Sequence, residues 1–368
     1  MGANEVKKGK KNLKPLYMLM IFLGIFGIFI FGLTRPSTLN KAVEEINASF
    51  SKKDVEMVWY KYKLDLYQDE EFLLKIRTRL TDLKLSKSDQ KECLSWLPKA
   101  PVSLNLIIIP DLSRRIIDTI NNPKQINNDK LIIRAAWDSF VKSAKYKEDS
   151  KDHFMVDVTD RQQASGAFNK VADNLKYDLS SHKGKSNILF FTQEKTKAFE
   201  KGIDKMYEMA KKKPLGADYR YYIRQYLKSR LLESTFFDTY DNKVIIVTDG
   251  YLEAENQQAD TKLKGFEKEL HNAVQMGNVP QIITKNSLNI PTGNIYIPNI
   301  SILVCEVNER HYFPFTNKLW PGEKYDFEIL KAYWEDWFNR MGIQKKFFVP
   351  REMSISTTTK TIADFVSE

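Results

Sequence analysis

Two aspartates stand where an aspartate can act on a ligand. The first lies in Asp111-Leu112-Ser113-Arg114-Arg115 and the second in Thr248-Asp249-Gly250. Carboxylates and hydroxyls at this short spacing form an oxygen-rich mouth suited to a hard divalent cation such as Mg²⁺, which takes about six oxygen ligands near 2.1 Å. Each motif follows an apolar run, Leu104–Ile109 in one case and Val244–Val247 in the other. Continuous β-branched runs suit parallel strands buried on both faces. In open α/β sheets the ligand site lies outside the carboxyl ends of such strands. Parallel strands sandwiched by helices must therefore position both aspartates.

The remaining pattern fits that requirement. Phe154–Val158, Asn187–Thr192, Ile300–Val307 and Lys346–Val349 read as further strands. Helical spacing covers Leu131–Ala144, Lys195–Lys213, Tyr219–Glu233, Lys262–Met276 and Glu328–Met341, with a helix start at Arg115–Ile120. Strands alternating with helices imply an α/β fold, a doubly wound and mostly parallel sheet flanked by helices, over residues 101–350. Residues 351–368 read as a Ser/Thr-rich tail. Within residues 35–100, Arg35 to Phe50 reads as a spacer. Beyond it, Leu64, Leu66, Phe72, Leu73, Ile76, Leu80, Leu83 and Leu85 recur roughly every three to four positions. That spacing gives an amphipathic helix or helical pair, either a stalk or an extension packed on the main domain.

The amino terminus sets an expectation about location. Leu16 to Leu33 is uncharged and apolar, close to the ~20 residues needed to cross a bilayer. Residues 16–34 thus read as a transmembrane anchor and residues 1–15 as a cytoplasmic tail. Lys7, Lys8, Lys10, Lys11 and Lys14 precede the run, and Arg35 and Lys41 are the first cations after it. This asymmetry keeps the tail in the cytoplasm, sets the anchor in the inner membrane and places the remaining chain outside the cytoplasm. The run exceeds the ~7–15 residues of a signal-peptide core and lacks a clear small-x-small cleavage site, so it reads as uncleaved.

Composition narrows the function classes. With 42% hydrophobic residues in 368 positions, the chain can build one large core or two small ones. The formal charge is +10, and four of these charges belong to the tail. No block of basic residues interleaved with aromatics follows the tail, so nucleic acid is not an expected partner. Cys93 and Cys305 read as buried small hydrophobes, and neither they nor His153, His182, His271 and His311 have zinc-ligand spacing.

The ordered motifs resemble the von Willebrand factor A domain, a family with a strand ending in D-x-S-x-S, a threonine loop at a helix start, and a strand ending in T-D-G. The match spans about Val102 to Pro350. Here the first motif is Asp111-Leu112-Ser113-Arg114-Arg115, and Thr248-Asp249-Gly250 is intact. The threonine loop is best matched by Gly216-Ala217-Asp218-Tyr219. The resemblance implies a metal-ion-dependent adhesion site, in which Asp111, Ser113, Asp218 and Asp249 hold Mg²⁺ or Mn²⁺ and a partner's carboxylate completes the coordination. Arg115 replaces the second serine and cannot ligate a cation. Turned inward, its guanidinium pairs with Asp111 or Asp249 and substitutes for the metal. The site thus holds Mg²⁺ or Mn²⁺, or none, with Arg114, Arg115, Thr248 and Gly250 on the partner-facing rim.

Enzyme readings are less complete. A haloacid-dehalogenase-type phosphatase needs a second Asp where Ser113 stands, because a hydroxyl at its ordinary pKa is a poor proton donor to a leaving group. Gly184-Lys185-Ser186 lacks the preceding glycine of a phosphate loop, and no G-x-S-x-G elbow is present. The expectation is a membrane-anchored, non-enzymatic binding module of a bacterial envelope assembly that docks an envelope protein at the carboxyl edge of its sheet. The alternatives are a metal-dependent phosphatase-like hydrolase using Asp111 and a structural anchor without an active rim. Tyr219, Tyr221, Tyr222 and Tyr226 read as an aromatic helix face, partly core, and the loops His311–Phe315 and Leu319–Gly322 carry surplus apolar bulk.

Overall fold

A computed structural model describes residues 37–368 except 148–149, 160–167, 183–186, 215–216, 253–262, 264, 313–315, 317, 320–326 and 352–353. The Leu16–Leu33 run lies outside the described residues, and no helix within them is long and apolar enough to cross a membrane. The chain divides into two compact units, one ending at Pro98 and the other beginning at Lys99.

The first unit is helical: α1 Thr38–Asn47, α2 Lys52–Leu66, α3 Glu70–Asp82 and α4 Lys87–Trp96. Its helix starts follow local chemistry. Ser37, Ser51, Asp69 and Ser86 each accept a hydrogen bond from a first-turn N–H, and Ser51 with Asp54 forms a reciprocal capping box. Such caps turn the expected spacer before Phe50 into α1 and divide the long amphipathic pattern into three helices. Trp59, Phe72, Ile76, Leu80 and Cys93 fill the interior. Leu64 departs from the face its spacing suggested and is 92% exposed.

The second unit is α/β. Its strands are β1 Ser103–Pro110, β2 His153–Val156, β3 Lys176–Asp178, β4 Tyr240–Val247, β5 Ser301–Val307 and β6 Lys345–Pro350. They form a six-stranded sheet in the order β3-β2-β1-β4-β5-β6, parallel except for the β2–β3 pair. The helices include α5 Gln125–Ala144, α6 Gln193–Lys212, α7 Tyr219–Tyr222 (continued by a π-turn over Ile223–Leu227), α8 Glu267–Met276, α9 Val279–Lys285, α10 Phe327–Arg340 and α11 Ile355–Ser367. Alternation along the strands feeds two cores. Leu106, Ile108, Ile245, Val247, Leu303 and Cys305 face α5, α6 and α11. Ile107, Ile109, Val244, Ile246, Ile302 and Val304 face α8, α9 and α10. Burial on both faces explains the unbroken apolar runs.

Four local expectations are corrected. Asn187–Thr192 is not a strand: Asn187–Leu189 forms a 3-10 turn with Ile188 and Leu189 exposed, and β3 takes the sheet edge. A short apolar run is ambiguous in type, and this one lacks a strand partner. The helix start at Arg115 is only a 3-10 turn, Arg114–Ile116. α8 begins at Glu267, five residues after the expected start. The Ser/Thr-rich tail instead forms α11, capped by Ser354, with Ile362, Phe365 and Val366 buried. The buried Lys243 ammonium donates to the carbonyls of Phe365 and Val366 at 2.8 and 3.2 Å, satisfying groups in the last turn of α11.

Candidate functional site

The strand order reverses direction between β1 and β4, the place where open α/β sheets bind ligands. β1 and β4 are direct neighbours with Pro110 opposite Val247, so Asp111 and Thr248 emerge side by side. Asp111 N donates to Val247 O at 2.9 Å, and Thr248 Oγ1 donates to Asp111 Oδ2 at 2.9 Å. The sheet thus joins two motifs separated by 137 positions.

Asp111 is almost wholly committed within the protein. Its Oδ1 accepts from Ser113 N at 2.9 Å, and its Oδ2 meets both Thr248 and Arg115 Nε, the latter at 3.3 Å. Arg115 turns fully inward. Its Nη2 donates to Asp129 Oδ2 and to Val247 O, both at 2.9 Å. Burial alone would lower the pKa of this guanidinium, but the carboxylates of Asp129, Asp111 and Asp249 hold it above the ordinary arginine range. Arg115 therefore remains a buried cation. Burial pushes Asp129 up to about 6 despite the opposing pull of Arg115. Nearby, the Tyr219 hydroxyl lies 3.5 Å from both Ile109 O and Val247 O, and burial, followed by the Asp111 charge, raises its pKa well above the phenol value.

Asp249 is matched in a different way. Its Oδ2 accepts from Arg310 Nε at 3.1 Å and Nη2 at 2.9 Å, while the Arg310 guanidinium lies 4.1 Å from the Tyr251 ring centroid. Gly250 makes this turn feasible. Its φ is +94°, and an added Cβ would stand 3.0 Å from Val307 Cγ1. A side chain there would meet both backbone strain and a clash. The Gly250 carbonyl accepts from Trp334 Nε1 at 2.8 Å, fixing the strand end to α10.

The same pairing repeats along the edge. Asp157, directly after β2, accepts from Arg230 Nε at 2.8 Å and from Tyr222 Oη at 3.0 Å. Glu306 in β5 accepts from Arg351 Nε at 3.0 Å, with Arg351 placed directly after β6. A register irregularity between Val304 and Val307 and a φ of +70° at Glu306 turn this carboxylate into the edge. A bulge re-aims one side chain in this way, and a left-handed glutamate stores local strain. Gln125 Nε2 links Asp129 Oδ1 at 2.6 Å to Glu306 Oε2 at 3.2 Å, and Gln125 Oε1 contacts Arg351. Asn121 accepts from the N–H groups of His311 and Tyr312, which ties down the start of the aromatic loop.

The residues singled out in the sequence take different positions. Asp111, Arg115, Thr248, Asp249 and Gly250 gather at the switch point. Ser113 is half-buried and caps the 3-10 turn, and Arg114 is exposed. The Asp218 carboxylate caps its own helix by accepting from Tyr221 N at 2.9 Å, and its neighbour Tyr219 is the residue that reaches the strand ends. The residues do not fit a hydrated divalent cation. Asp111 and Asp249 are taken up by guanidinium groups, and among the described residues no group of three or more His, Cys, Asp or Glu side chains is arranged to hold a metal. The sequence reading missed Asp129, Glu306, Arg310 and Arg351. One signal was present: Arg310 and Arg351 follow the ends of parallel strands β5 and β6, the same edge that carries Asp111 and Asp249.

No protein-family model matches the chain, and no curated protein matches it.

Proposed function

We propose that the chain is a membrane-anchored binding module of von Willebrand factor A type, whose edge engages an envelope protein without a bridging cation. The observation that carries this reading is the meeting of Asp111 and Thr248-Asp249-Gly250 at the switch point, with both aspartates already neutralised by Arg115 and Arg310. A preset row of carboxylate–guanidinium pairs supplies a polar edge of fixed geometry. Its carboxylates and Arg115 are buried, so the row acts from beneath: it fixes the strand-end turns and the exposed side chains they carry, and a partner docks at little reorganisation cost. Exposed Arg114 beside this row offers donors to a partner's acidic side chain. The lysine-flanked apolar run at Leu16–Leu33 supports placement in the inner membrane, with both described units outside the cytoplasm.

The hydrolase reading is less well supported. A nucleophilic aspartate needs an oxygen open to substrate, whereas Asp111 is 2% exposed and both its oxygens are engaged. A photo-cross-linking side chain placed at Arg114 in the full chain, in the producing cell, tests the proposal. The expected result is a discrete envelope-protein adduct that is absent when the probe replaces Lys142 in α5. Equal labelling from both positions, or phosphate-ester turnover abolished by Asp111→Asn, would overturn it.

A further inference from the structure

Helix α2 is apolar on two opposite faces. Val55, Val58, Trp59, Tyr62 and Leu66 point into the helical unit. On the far side, Met57, Tyr60, Leu64 and Tyr67 are 57%, 49%, 92% and 55% exposed. Phe50, just before the helix, is 83% exposed. The intervals 57-60-64-67 are three, four and three, the alternation that keeps one stripe in contact between two supercoiled helices. Scattered surface hydrophobes need no explanation, but a four-residue stripe on one helix face does.

The flanking charges select the occupant. Glu56 and Lys63 precede the two core positions Met57 and Leu64, while Lys61 and Gln68 follow Tyr60 and Tyr67. In a parallel, in-register pair each residue of the first set faces the partner residue five positions further on. Glu56 then meets Lys61 of the second copy on both sides, and the position opposite Lys63 falls past the end of α2 at the uncharged Gln68. In an antiparallel pair that matches Met57 with Tyr67, Lys61 faces Lys61 and Lys63 faces Lys63. Flanking charges of this kind fix orientation and partner choice. Lys61 already meets Glu45 of its own chain at 2.6 Å, but its side chain stays 57% exposed and within reach of a second carboxylate.

We propose that the outer stripe of α2 is the seam of a parallel homodimer, formed with α2 of a second copy of this chain. From Met57 to Tyr67 the seam spans about 15 Å of helix, short enough that free copies associate weakly. Its strength rests on the membrane reading above, because two copies anchored in one bilayer meet at a high effective concentration and in parallel orientation.

Cysteine cross-linking of the full-length chain in membranes of the producing cell tests the seam. Cys93 and Cys305 are buried, so an introduced thiol reports its own position. Leu64→Cys and Met57→Cys place identical residues face to face and are expected to give disulfide-linked dimers under mild oxidation. Asp65→Cys, exposed but off the stripe, is expected to give background. Glu56→Lys should lower the Leu64→Cys dimer yield about tenfold, and Glu56→Lys combined with Lys61→Glu should restore it. Equal cross-linking at Asp65→Cys, or no response to Glu56→Lys, would overturn the pairing. So would a chain that fractionates with the membrane and remains monomeric at Leu64→Cys. A chain found in the soluble fraction would refute the anchor alone, and the pairing would then be read from the same cross-links at raised chain concentration.

Discussion

Asp111 and Asp249 end neighbouring strands, and each is neutralised by an arginine, yet the two arginines come from very different distances along the chain. Arg115 lies four positions after Asp111, within the same strand-end turn, and its side chain is fully buried. Arg310 lies 61 positions after Asp249, beyond β5, and retains 11% exposure. The β1 end is therefore a closed triad in which Arg115 also neutralises Asp129, while the β4 end is a partly open pair. Removal of one partner from a buried ion pair leaves a charge without compensation, and water softens that penalty where it can enter.

This contrast fixes the order of the expected effects. Arg115→Leu strands two buried carboxylates and should destabilise the α/β unit by about 3–5 kcal/mol in urea unfolding. Arg310→Leu strands one carboxylate at a more open position and should cost about 2–3 kcal/mol. A larger loss from Arg310→Leu would break the comparison. Asp129 sharpens it through pH. Its folded pKa of about 6 lies above the ordinary carboxylate value, so the folded protein binds the proton more tightly than the unfolded chain. Its contribution to stability is therefore complete below pH of about 4 and fades as pH rises through about 6, by about 3 kcal/mol at most. Asp129→Asn should remove that decline from the stability–pH curve. Leu64→Asp, on the exposed stripe of α2, should change unfolding stability by less than about 0.5 kcal/mol while abolishing the α2 cross-link.

The same contrast explains what the sequence disclosed. The strands carrying Asp111 and Asp249 were legible because burial on both faces demands unbroken β-branched runs. The inward alternative for Arg115 was legible because its partner lies within one turn. Arg310, Arg351 and Glu306 were not, because sheet order brings their strand ends together and no local pattern encodes that order. The Asn187–Thr192 run misled because hydrophobicity alone does not provide a strand with a hydrogen-bonding neighbour. The segment after Arg351 was obscured by serines and threonines, although Ile362, Phe365 and Val366 carry the helical spacing that buries α11. The outer face of α2 was hidden for a related reason: Leu64 and Leu66 share one run of helical spacing, and only the fold separates the two apolar faces.

The most direct test of the arginine-filled edge is calorimetric titration of Mg²⁺ and Mn²⁺ into the chelator-treated full-length chain, with Asp249→Ala as the control. The expected result is no saturable heat in either protein, because Arg115 and Arg310 occupy the carboxylates that a cation would need. Saturable binding in the native chain that disappears in Asp249→Ala would contradict the account and return the edge to cation-dependent adhesion.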